Sequence, residues 1–109
     1  MADRILQVAI DKKGSDILLL DLRKVTTIAD YFVICTGASE RQIRAISQAV
    51  MEGLEHLGIA PLHDEGLADS GWILLDYGDV VVHVFTPAER DYYRLEKAWS
   101  EALPVVRVQ

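Results

Sequence analysis

The chain has one cysteine, three prolines and no apolar run approaching the roughly 20 residues that a membrane-spanning helix needs. Each shortage excludes something. A lone Cys35 cannot close an internal disulfide, and no Cys/His repeat carries zinc-ligand spacing, so neither a disulfide framework nor a zinc module is expected. Cations are also short: 11 Lys and Arg stand against 17 Asp and Glu, a formal net charge of −6. Phosphate backbones are bound by clustered cations, so direct DNA binding is not expected. The opening Met1-Ala2-Asp3-Arg4 lacks the apolar stretch of a signal peptide. Together with the unpaired thiol, this leads to the expectation of a cytoplasmic protein without a membrane segment.

What is present is the composition of a folded domain. Half of the 109 residues are apolar and 26% are charged, the proportions of a globular protein and not of a disordered one. The length suits one domain spanning 1–109, and size scaling leaves about two thirds of the extended chain's surface buried.

Hydrophobic spacing sets out the elements. Ile5, Leu6, Ala9 and Ile10 form a helical stripe between Asp3 and Lys13, closed by Gly14. Ile17–Leu22 and Tyr31–Cys35 are compact apolar runs, the pattern of central strands buried on both faces. Ser39 and Gln42 form a capping box ahead of Ile43, Ile46, Val50, Leu54 and Leu57, which predicts a long amphipathic helix over 40–57 with Gly58 in the left-handed position past its end. A short strand is expected around 60–64 and an acidic loop over 65–71. Trp72–Tyr77 and Val80–Phe85 flank Gly78-Asp79, a two-residue hairpin turn that pairs Tyr77 with Val80, Leu75 with Val82 and Ile73 with Val84. One face of that hairpin is then apolar. The other is mixed, with Trp72, Leu74 and Asp76 across from Phe85, His83 and Val81. Thr86-Pro87-Ala88-Glu89 reads as a second capping box, opening a helix whose stripe is Tyr92, Leu95, Trp99 and Leu103 and which Pro104 ends. The tail 105–109 is either an edge strand or frayed. The order of elements predicts an α/β sandwich on a mixed sheet: the hairpin is antiparallel, while the helical crossover after Cys35 favours a parallel neighbour.

Several residue groups invite a chemical reading, and each has a plainer one. Gly37-Ala38-Ser39, between a strand and a helix, offers backbone amides to a phosphate and so raises the alternative of a nucleotide-binding or nucleotidyltransferase-like enzyme. A tight turn followed by an N-cap explains the same residues. Asp76 and Asp79 could serve a metal or acid/base chemistry, but their spacing of three does not direct them alike, and turn formation accounts for both. Cys35 and His83 on neighbouring strands lack a third partner for nucleophilic catalysis. His56 and His63 near Asp64 and Glu65 do not have the spacing of a helical metal pair. No metal and no cofactor is therefore expected. Trp72, at the start of a strand on the mixed face beside an acidic loop, is either an interface anchor or a plug for the core.

Three stretches together resemble a known family: Asp30-Tyr31-Phe32-Val33-Ile34-Cys35-Thr36-Gly37-Ala38-Ser39 followed by Arg41-Gln42 and Ala45-Ile46; Trp72 through Phe85; and Arg90-Asp91-Tyr92-Tyr93-Arg94-Leu95-Glu96-Lys97-Ala98-Trp99. The chain is similar, from about Asp3 to Leu103, to the ribosomal silencing factors of the Iojap family (RsfS). That resemblance implies a nucleotidyltransferase-like fold without the transferase acidic pair, and no Asp-x-Asp follows Gly37-Ala38-Ser39 here. It implies a non-enzymatic translation repressor that binds the large ribosomal subunit through that subunit's fourteenth protein (of the uL series) and sterically blocks joining to the small subunit. It also implies a homodimer. Matching family motif positions puts the partner contact at Trp72, Asp76, Tyr77 and Asp79, with Glu65 and Tyr93 beside them. An acidic chain suits a basic ribosomal protein, and an ordinary interface of roughly 800 Å² per partner is enough to exclude a competing contact.

Overall fold

The computed structural model describes residues 1–109. In chain order the elements are helix α1 (Ala2–Asp11), strands β1 (Ser15–Asp21) and β2 (Tyr31–Thr36), helix α2 (Glu40–Glu55), strand β3 (His63–Glu65), a 3-10 turn (Ala68–Ser70), strands β4 (Trp72–Asp76) and β5 (Val80–Phe85), helices α3 (Pro87–Tyr93) and α4 (Leu95–Ala98), and strand β6 (Leu103–Val108). The strands form one six-stranded sheet in the order β3-β4-β5-β2-β1-β6. Only β2 and β5 run parallel; every other pair is antiparallel. The mixed α/β sheet is thus the one expected from the element order.

Each face of the sheet carries its own apolar layer because successive side chains alternate. Under α1 and α2 lie Ile17, Leu19, Val33, Cys35, Ile73, Leu75, Val82 and Val84, met by Ile5, Leu6, Ala9, Ile43, Ile46, Val50 and Leu54 from the helices. The opposite layer holds Leu18, Leu20, Leu22, Phe32, Ile34, Val81 and Phe85, roofed by Leu95, Trp99 and Ala102. The second roof is thinner, since α4 is a single turn. That thinness leaves the Trp72 end of the face open.

The hairpin register is the expected one, with Ile73 opposite Val84 and Leu75 opposite Val82, and the Tyr77 amide donates to the Val80 carbonyl at 2.9 Å. Gly78 sits at φ 84°, and its amide is held by the Asp76 carboxylate at 2.8 Å, so Asp76 does the turn work expected of it. At the start of α2 the Ser39 hydroxyl accepts from the Gln42 amide at 3.1 Å, and the Gln42 side chain reaches back one residue further than a standard box, accepting from the Ala38 amide. Gly58 takes φ 76° past the helix end, as expected.

Four expectations need correction. The final helix does not run from 87 to 103: it breaks at Arg94, a non-glycine residue at φ 48°, and α4 ends by Trp99. Tyr92 therefore leaves the core stripe and is 77% exposed. Pro104 does not end a helix. It lies inside β6, opposite Leu20, where an edge strand tolerates its missing N–H. Thr86 makes no side-chain cap to α3, and its amide, which a capping box would offer to Glu89, donates instead to the Gly71 carbonyl at 2.9 Å. Ile10 and Leu57, assigned to buried stripes, are 40% and 50% exposed: Ile10 lies in the last turn of α1 beside the buried Ile5, Leu6 and Ala9, and Leu57 lies past the end of α2 at Glu55.

Candidate functional site: an aromatic cleft at the open end of the sheet

The open end of the second face is built around Trp72. Its position at the start of β4 puts it directly opposite Phe85, and the two rings lie 5.0 Å apart. Tyr93, the last residue of α3, packs on its other side at 4.5 Å, with Tyr92 edge-on to Tyr93 at 5.0 Å. Leu74, two residues along β4, continues the same face, and Glu65 pairs with Leu74 across the β3–β4 ladder. Glu65, Trp72, Leu74 and Tyr93, with Gly66 and Ser70, line a cleft of about 210 Å³. The 66–71 loop can close over it only because Gly66 and Gly71 take φ 91° and 79°. A Cβ on Gly66 would run into the Trp72 carbonyl, and one on Gly71 into the Glu89 and Thr86 side chains.

Beneath the cleft the Trp72 indole Nε1–H donates to His83 Nδ1 at 3.2 Å. An indole nitrogen can only donate, so His83 must be neutral with its proton on Nε2. His83 is 4% exposed, enclosed by Phe32 at 4.6 Å and by Phe85 and Trp72, and no charged group accompanies it. Burial pushes its pKa down to about 4, so it stays neutral at physiological pH. Its Nε2 is buried with no hydrogen-bond partner.

The structure brings together three of the six residues singled out in the sequence: Glu65, Trp72 and Tyr93 line one cleft. Asp76 shares that face beyond Leu74, roughly 13 Å along the strand from Trp72 at the usual rise per residue. Asp79 sits at the hairpin tip in a different depression with Asp30, Tyr31 and Val105, and its carbonyl accepts from the Asp30 and Tyr31 amides. Tyr77 does not join them. It lies in the layer under the helices, 7% exposed with its hydroxyl unpartnered, and burial followed by the Asp64 charge raises its pKa. Sequence reasoning missed Tyr92 as a cleft neighbour, because nothing in Tyr92-Tyr93-Arg94 marks the helix break that turns it outward.

Sequence reasoning also missed Arg90. This buried guanidinium donates from Nη1 to the Asp16 carbonyl at 2.8 Å and to Thr36 Oγ1 at 2.9 Å, and from Nε to Glu96 at 3.2 Å, with the Asp16 carboxylate 3.4 Å from Nη2. It joins β1, β2, α3 and α4 along a polar cavity of about 490 Å³. Its one sequence signal was its place at the head of the Arg90–Trp99 stretch that resembles the family, because the predicted stripe of Tyr92, Leu95 and Trp99 would have turned it outward.

The other chemical readings meet specific geometry. Cys35 and His83 project to opposite faces of the sheet, and burial pushes the Cys35 thiol up to about 12, with Arg90 only partly opposing. No three His, Cys, Asp or Glu side chains come together as ligands for a metal ion. At the Gly37–Ser39 turn the Gly37 amide is donated to the Phe85 carbonyl and the Ala38 amide to Gln42, so both are already engaged within the fold. No helix is long and apolar enough to cross a membrane.

Fold and cleft together define a class: a small mixed-sheet α/β protein with an open aromatic cleft that carries one carboxylate, Glu65, in its lining. The whole chain, residues 1–109, matches the family model described as "Ribosomal silencing factor during starvation". It is 46% identical over 92 residues to the ribosomal silencing factor RsfS of Bacillus subtilis, covering 84% of this chain and 78% of that protein. A Chromobacterium violaceum crystal structure superposes with a TM-score of 0.87 at 38% identity, covering 91% of this chain and 82% of that one. A mouse protein named "Mitochondrial assembly of ribosomal large subunit protein 1" is 28% identical over 101 residues, covering 90% of this chain and 44% of that protein. The chain belongs to the ribosomal silencing factor family.

Proposed function

We propose that this chain represses translation without catalysis, by docking on the large ribosomal subunit through that subunit's fourteenth protein and occupying the surface that the small subunit needs. The cytoplasm is where it acts. The observation that carries the reading is the Trp72–Tyr93–Glu65 cleft, an aromatic anchor with a carboxylate beside it on a family member whose relatives are named for the ribosome. Aromatic residues concentrate binding energy when a partner desolvates them, and a carboxylate rim selects basic partners and speeds their approach. A net charge of −6 supports docking on a basic ribosomal protein rather than on RNA phosphates. Steric exclusion then requires only occupancy, which an interface of roughly 800 Å² per partner provides.

Binding of the purified chain to isolated large subunits tests the reading. Trp72→Ala is expected to weaken binding by about 2 kcal/mol, close to thirtyfold, while the fold survives. A folded Trp72→Ala variant that binds as well as the parent would remove the cleft from the interface.

A further inference from the structure

We propose that His83 is the positioning residue of the docking face: as a buried neutral acceptor it holds the Trp72 indole in the orientation that lines the cleft. By consuming the indole's only donor, it leaves the anchor presenting carbon alone to the partner. The inference rests on the proposed docking role of Trp72 and adds the group that acts through it.

The geometry is one-directional. Trp72 sits at the end of a strand, half-buried, with Phe85 and Tyr93 contacting its ring but placing no dipole on its nitrogen. Without an acceptor, the indole Nε1–H would either turn to water or be stranded. His83 Nδ1 at 3.2 Å supplies that acceptor from the neighbouring strand. The ring has no other polar use in the fold. Its Nε2 meets no partner, the rings of Phe32 and Phe85 lie against it, and Ile34 and Leu74 flank it on the neighbouring strands. A buried donor left without a partner costs stability, so a phenylalanine of similar shape would serve packing better. A histidine in that place is explained by what its other nitrogen does. Because the indole nitrogen is engaged inward, the group that settles on Trp72 from outside needs no acceptor. An aliphatic or aromatic side chain fits, with any basic neighbour directed to Glu65 at the rim.

Three variants separate this role from packing. His83→Phe removes the acceptor and keeps the ring. His83→Asn keeps an acceptor at nearly the position of Nδ1. Trp72→Phe removes the donor. His83→Phe is expected to keep or raise the melting temperature while weakening binding to large subunits roughly three- to tenfold, the worth of one positioning hydrogen bond. His83→Asn recovers most of that loss. In a Trp72→Phe background, His83→Phe has no further effect.

The indole Nε1–H resonance of Trp72, assigned with a Trp99→Phe variant, gives a readout independent of the ribosome. It shifts and exchanges faster in His83→Phe and returns toward the parent in His83→Asn. Unchanged resonance and exchange in His83→Phe would overturn the proposal, as would an equal loss of binding in the Trp72→Phe background. If the parent chain binds no subunits, the docking reading falls, and the resonance alone then decides whether His83 holds the indole.

Discussion

At the scale of single residues, the polar groups inside this protein are few and each has a traceable consequence. His83 is a base whose pKa falls from 6.5 to about 4 on folding through burial. Between those values the unfolded chain binds a proton that the folded chain does not, so stability is complete above pH 6.5 and is lost as the pH falls toward 4. The loss is expected to reach on the order of 3 kcal/mol and to be absent from His83→Phe. Denaturant titrations of both proteins between pH 7 and pH 4 measure it. Equal acid sensitivity in the two would contradict the assignment. Asp21 acts in a separate window. Its hydrogen bonds from Arg23 hold its pKa at about 2, so its contribution is kept above pH 3.8 and falls away below that value. Gly66 supplies a second residue-scale test. Alanine there requires both a left-handed backbone and relief of a clash with the Trp72 carbonyl. Gly66→Ala is expected to lose about 2 kcal/mol of stability and to disturb the cleft in the same stroke. Urea unfolding monitored by tryptophan fluorescence reports on both.

At the scale of elements, what was legible in the sequence was what periodicity and turn chemistry encode. The β4–β5 register followed from Gly78-Asp79, and the α2 start followed from Ser39 and Gln42. Illegible were the events decided by tertiary contacts. The break at Arg94 has no local signature, since a glycine would normally occupy φ 48°. It is held by what Arg90 does one turn earlier. The Arg90 side chain bonds β1, β2 and Glu96 of α4, which fixes the two short helices at their junction. The break in turn exposes Tyr92 and sets Tyr93 against Trp72, so half of the cleft depends on a helix ending that sequence patterning did not mark. The separation of Tyr77 from the cleft has a simpler origin. Motif matching put it beside Trp72 although strand alternation had already assigned it to the opposite face. Arg90→Met, which keeps the stem and removes the bonds, is expected to cost about 2–3 kcal/mol, because it leaves the Glu96 carboxylate without its cation and the Asp16 carbonyl and Thr36 hydroxyl without their buried donor, while the Asp16 carboxylate keeps Arg107 at 2.9 Å. Hydrogen exchange should show the 86–99 segment opening first. Uniform loosening of the whole chain would indicate that the clamp belongs to the global core instead.

At the scale of the whole molecule, two unequal roofs on one sheet explain why the cleft lies where it does. The α1–α2 layer covers its face fully, whereas α3 and α4 are short and leave the Trp72 end of the other face partly uncovered. An anchor at an open end, the Glu65 carboxylate beside it and a chain with net charge −6 together suit attachment to a basic partner by contact. The association rate with large subunits is therefore expected to fall as salt rises from 50 to 300 mM, while Trp72 substitutions act mainly on dissociation. The most direct measurement is a sucrose gradient of purified small and large subunits joined in the presence of saturating protein. Subunits are expected to sediment apart with the parent chain and to join once Trp72→Ala replaces it. Whole ribosomes forming as readily with the parent chain as without it would contradict repression by occupancy.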